Sequence, residues 1–132
     1  MIKWAGGLIV FCGAAHTIGA LTVEGAWHHA DAWFSGALRS EDLAAMSPAN
    51  SALWLSLESF GIPLILVGLT VLWLDRRGIT PPPFIAWTLM IWTVVDAVIL
   101  TFTPWPIFLL ASVLLLVGTR RPTREFAPAD VR

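Results

Sequence analysis

The chain has 132 residues and a formal net charge of −1, with 57% hydrophobic and only 13% charged residues. Soluble domains carry about 25% charged residues, and a chain this short cannot hide so much apolar surface from water. That balance excludes an ordinary soluble domain, leaves room for one domain, and predicts an all-α integral membrane protein.

The first apolar stretch, residues 2–23, is long enough to cross a bilayer, which takes about 20 apolar residues at 1.5 Å rise each. Within it, "FCGAAHTIGA" sets His16 in the middle of a run of small residues. Gly6, Gly13, Ala15 and Gly19 form a small-residue face that allows close contact with another helix, Ala15 and Gly19 in small-xxx-small spacing. A cleavable signal peptide is the rival reading of residues 1–25, and Glu24 makes a poor cleavage context for it. Cys12 is the single cysteine, so no disulfide forms within the chain.

Residues 24–50 read as a loop with structure of its own. "EGAWHHADAWF" places Trp27, Ala30 and Phe34 at helical spacing, which predicts a short helix lying on the membrane surface. Trp27, Trp33 and Phe34 are expected to bury in the headgroup layer or a partner surface. "SEDLAAM" then predicts a second short helix with Ser40 as N-cap and two acids in its first turn, ending before Pro48.

The second span covers residues 51–74 and is led by Ser47-Pro48, a good N-cap and first-turn pair. Pro63 cannot donate to the carbonyl of Ser59, which predicts a kink one residue beyond Glu58. The third span, 84–102, follows the helix-excluding Pro81-Pro82-Pro83. The fourth, 106–120, is short and needs a thinned membrane, burial against its neighbours, or snorkelling of Arg120 and Arg121. Residues 1–121 are thus expected to form one four-helix transmembrane bundle. The tail, 122–132, is polar and Pro-containing and reads as disordered.

Every Lys and Arg except Arg39 falls on one side of this arrangement. The positive-inside rule then predicts a multi-pass protein of the bacterial inner membrane, with both termini and the "DRRGITPPP" turn in the cytoplasm and residues 24–50 outside. Tryptophans agree, with Trp4, Trp73 and Trp87 near the inner interface and Trp27, Trp33, Trp54 and Trp105 near the outer one. Trp92 sits deeper.

Three ionisable side chains fall well inside the spans: His16, Glu58 and Asp96. Each lies about six residues from its outer span end, or about 9 Å below the interface. A charge at mid-membrane costs about 2.5–3.5 kcal/mol even on the lenient insertion scale, so a shared polar cluster is expected. Three uses of it stay open. His16 bonded to Glu58 or Asp96 could pin helices together at about 0.6–2 kcal/mol per bond. The imidazole and carboxylates could do acid–base work on a lipid or carry a proton, which makes His16, Glu58 and Asp96 the catalytic candidates. His16 and Glu58 could also hold a metal with His28, His29 or Glu24, although the spacings match no metal motif.

No Gly-rich phosphate loop, GxSxG, CxxC or HExxH occurs, so no nucleotide-driven pump or hydrolase is readable and no cofactor is expected. The basic residues flank spans and form no nucleic-acid patch. The runs "WAGGLIVFCGAAHTIGAL" and "LESFGIPLILVGL", with the tryptophan- and acid-containing loop between them, resemble small four-span bacterial membrane proteins of unknown function, actinobacterial ones especially. The resemblance covers residues 1 to about 121 and brings no catalytic residue with it. The chain also looks like a four-helix accessory subunit of the kind attached to actinobacterial mammalian-cell-entry lipid importers. The expected function is therefore a non-catalytic subunit of a larger inner-membrane complex engaged in lipid transport, with larger membrane subunits as partners. The alternative is a small membrane enzyme or lipid-binding protein using the His16, Glu58 and Asp96 cluster.

Overall fold

A computed structural model describes residues 1–100 and 103–120 of the chain. Its described residues are helical, with turns and no strand. Helix α1 runs Ile2–Thr22 and stops where Gly25 takes a left-handed φ of 75°. A 3₁₀ turn, Ala26–His29, leads into the short α2, Ala30–Ser35, so the surface helix expected from the Trp27/Phe34 spacing is split in two. Two further 3₁₀ turns, Ala37–Ser40 and Leu43–Ala45, replace the helix expected over "SEDLAAM". Its cap is Asp42, whose Oδ1 accepts from the Ala44 N–H at 2.9 Å, and not Ser40.

Helix α3, Pro48–Ser56, opens as its first residues dictate. Ser47 Oγ accepts from the Asn50 N–H, and Pro48 occupies the first turn, where no N–H is needed. The Ser47 hydroxyl beside Glu41 also holds that carboxyl below the ordinary carboxylate range, with the Ser47 N–H 3.3 Å from Glu41 Oε2. Helix α4, Gly61–Arg76, continues the same apolar stretch after an interruption at residues 57–60. The second span therefore begins three residues earlier than expected, at Pro48, and is broken where a kink was predicted. Pro63 lies in the first turn of α4, where its missing N–H is tolerated.

Helix α4 ends in a Schellman motif. Ile79 N–H reaches Leu74 O, Gly78 N–H reaches Asp75 O, and Gly78 has the φ of 69° that this ending requires. Helix α5, Pro83–Ile99, starts on the last of the three prolines, and α6 runs Trp105–Thr119. Residues 101–102 of the third expected span and the tail 122–132 lie outside the described residues.

Two helical stretches are long and apolar enough to cross a membrane, Ile2–Thr22 and Pro48–Arg76, while α5 and α6 are shorter apolar helices. Helix α1 is central, packed most extensively on α4 and then on α6, which also packs on α5. The α1–α4 contact is antiparallel and is made through glycines. A Cβ on Gly13 would lie 2.5 Å from Gly61 O, and one on Gly68 would lie 2.8 Å from Gly6 O. Gly61 in turn faces the hydroxyl of Thr17, the one buried side-chain polar atom without a hydrogen-bond partner among the described residues. Of the small-residue face expected on α1, Gly6 and Gly13 make this contact, whereas Gly19 faces open space.

Two core layers lie along this crossing, one beyond the Gly6/Gly68 pair and one between the two glycine contacts. One joins Ala5, Val71, Ala86 and Leu115, a residue from each of α1, α4, α5 and α6. The other joins Ile9, Cys12, Leu64, Leu89, Phe108 and Ala111 from the same four helices. Many of the larger apolar side chains instead face outward, among them Phe11, Ile18, Leu66, Trp73, Ile91, Val98 and Leu110.

Candidate functional site

The interruption at 57–60 has a direct consequence for His16. In an unbroken helix the Leu55 carbonyl would accept from the N–H of Ser59. Here Leu57 and Glu58 both donate to Leu53 O, and the Leu55 carbonyl is met by His16 Nε2 at 3.1 Å. The same nitrogen lies 2.8 Å from Ser59 Oγ. A carbonyl only accepts, so the pair of contacts requires a protonated Nε2 that donates to Leu55 O. The side chain of α1 thus replaces a missing backbone bond of the neighbouring helix, and a histidine in a small-residue run has the room to do so.

His16 also stacks on Phe60, ring centroids 4.1 Å apart. Phe60 meets Trp92 edge-on at 5.4 Å, and Trp92 lies 6.0 Å from Phe108. These four rings wall a cleft of about 280 Å³ that also takes in Thr93, Asp96, Leu100, Thr103 and Pro104. Asp96 closes one side. Its Oδ2 accepts from Thr103 Oγ1 at 2.6 Å, tying the end of α5 to the bend that precedes α6. Thr93 is self-contained, its hydroxyl donating to Leu89 O.

His16 and Asp96 therefore share one cleft, and Glu58 does not line it. Glu58 sits in the interruption and is exposed. The partners of His16 are Ser59 and Leu55 O, where the sequence pairs it with Glu58 or Asp96. A break of four residues rotates everything beyond it, and one residue of helix is 100°, so Ser59 takes the place expected for Glu58. Ser59 and Phe60 were missed. The available signal was Pro63, which deprives the Ser59 carbonyl of its helical donor and so marks where the backbone opens.

No group of three or more His, Cys, Asp or Glu able to hold a metal occurs among the described residues. His28 stacks on Trp27 in the loop instead, and His29 follows it there. In that loop Trp33 turns inward, its Nε1–H donating to Ala49 O at 2.8 Å, which ties α2 to α3. Trp27 and Phe34 point outward, Phe34 87% exposed. The three expected interaction residues thus divide into one internal tie and two outward apolar groups.

Residues 1–122 match a family of unknown function, DUF6463, and the chain belongs to that family. No curated protein and no solved structure matches it.

Proposed function

We propose that this family member is a four-helix transmembrane bundle of the bacterial inner membrane that serves as a non-catalytic subunit of a larger membrane assembly. The observation that carries the non-catalytic reading is the employment of the polar groups. His16 ties α1 to the broken helix, and Asp96 Oδ2 ties the end of α5 to Thr103 in the bend that follows. Acid–base work by such a pair needs an imidazole coupled to a carboxylate, and among the described residues no hydrogen bond joins His16 to Asp96 or Glu58.

The membrane placement is supported by the distribution of side-chain size. Glycine, alanine and serine lie between helices while large apolar groups face out, the pattern lipid favours because burial there gains close packing and not relief from water. Trp4, Trp73 and Trp87 are exposed toward one end and Trp27 and Trp54 toward the other, with the Arg77 guanidinium 5.0 Å from the Trp73 ring. With both termini inside, residues 24–50 face out. Helix α6, about 22 Å long, is shorter than the hydrocarbon layer, which fits snorkelling of Arg120. A task in lipid transport rests on the likeness of the four-span chain as a whole to accessory subunits of lipid importers, with no diagnostic motif behind it.

Orientation is tested by labelling single cysteines from outside intact cells. Cys12 is buried and gives a low background. Ala37→Cys is expected to react and Thr80→Cys to stay silent until the membrane is opened; the reverse pattern would invert the topology. Subunit status is tested by purification from the native membrane in mild detergent. Larger membrane proteins are expected to co-purify in fixed ratio, and Phe34→Glu is expected to release them while the bundle stays folded. A lone monomer or homodimer carrying lipid would favour the lipid-binding reading instead.

A further inference from the structure

The cleft beside His16 holds a carboxylate whose charge is unanswered. Thr103 supplies one hydrogen bond to Asp96 Oδ2, and Oδ1 has no hydrogen-bond partner among the described residues. Among the described residues no Lys or Arg lines the cleft. Its walls include Phe60, Trp92 and Phe108, the Trp92 ring 5.4 Å from Phe60 and 6.0 Å from Phe108. A carboxylate in apolar surroundings is costly unless a cation or a proton compensates it. Aromatic rings attract cations through their electron-rich faces, and aromatic side chains sharing a cleft with a carboxylate suit an alkylated ammonium ion.

We propose that this cleft is a binding site for an organic ammonium ion, the nitrogen paired with Asp96 and its alkyl groups held against Trp92, Phe60 and Phe108. His16, fixed by its Nε2 contacts with Leu55 O and Ser59 Oγ, forms part of the wall. A volume of about 280 Å³ holds a headgroup-sized cation and not a whole lipid. The nitrogen could belong to the headgroup of a zwitterionic lipid or to a free amphiphilic amine. The site stands independently of the partner assembly proposed above.

The test is equilibrium dialysis of radiolabelled benzyltrimethylammonium against the full-length protein in an uncharged maltoside detergent. Saturable binding is expected, with neopentylbenzene, the neutral carbon isostere, failing to compete. Asp96→Asn keeps the acceptor for Thr103 and removes the charge, and should weaken binding about tenfold or more. Trp92→Leu should weaken it about threefold or more. Asp96→Glu should retain part of the affinity, and circular dichroism checks that each variant is folded. Equal affinity of Asp96→Asn and wild type, or full competition by the neutral isostere, would overturn the proposal. Nanodiscs separate the two sources. Phosphatidylcholine competing where phosphatidylglycerol does not identifies a lipid headgroup, and Asp96-dependent binding indifferent to both lipids identifies a free amine.

Discussion

Gly13→Ala should lower stability by about 1–3 kcal/mol, toward the upper end of what overpacking costs, while Gly7→Ala should leave it unchanged or raise it slightly. The two substitutions are chemically identical and sit six residues apart on one helix. At Gly13 the new methyl would stand 2.5 Å from the carbonyl oxygen of Gly61 and 3.0 Å from the backbone nitrogen of Ile65. Backbone cannot rotate aside as a side chain can, so α1 and α4 must separate and the core layers around Ile9 and Leu64 open with them. At Gly7 nothing lies within 4 Å, and alanine is the better helix former by about 1 kcal/mol. Gly61→Ala belongs with Gly13→Ala, since its methyl would meet Thr17 Oγ1 and approach Gly13 O to 3.0 Å. Gly19→Ala belongs with Gly7→Ala. Cys12 lies buried in the same layer and supplies the readout, because a thiol-reactive dye reports its exposure as the protein is heated in detergent. Unfolding of Gly13→Ala at the wild-type temperature would contradict the close crossing.

That crossing shows where sequence reasoning reaches and where it stops. The helical class, the apolar stretches and their punctuation are local properties. Gly78 after "DRR" and the three prolines before Phe84 end and start helices by their own backbone preferences, and α4 and α5 begin and end accordingly. The small-residue face of α1 was legible, but which part of it meets a neighbour depends on which helix lies alongside. A clue was present in the matched spacing of Gly6/Gly13 and Gly61/Gly68, seven residues apart in each case. Those two pairs face each other in an antiparallel helix pair. The depth argument placed His16 and Asp96 at one level, and they line one cleft. Depth is a count along an axis and survives small errors. The direction a side chain faces is an angle, and a four-residue break between Leu57 and Phe60 resets it, which is why Glu58 faces outward and Ser59 inward.

His16→Leu should destabilise the protein by about 1–3 kcal/mol, and His16→Gln should restore most of the loss. Leucine leaves the Leu55 carbonyl without a donor at the point where α3 has released it, and leaves Ser59 Oγ without its 2.8 Å partner. In water such groups would turn to solvent. In the membrane placement proposed above there is no solvent to take them, so the orphaned carbonyl costs its full desolvation penalty. Glutamine carries an amide N–H₂ that can donate to the same carbonyl and hydroxyl, so the broken helix keeps its tie to α1. The two variants also separate the structural role from proton chemistry, because an amide does not exchange a proton near neutral pH and imidazole does. Thermal unfolding in detergent should rank wild type and His16→Gln close together and His16→Leu well below. The activity of the proposed partner assembly, reconstituted with each variant, should follow the same order. A His16→Gln protein that unfolds like wild type yet leaves the assembly dead would show that the imidazole moves protons as well as holding the helix, and would return the cleft to the catalytic candidates.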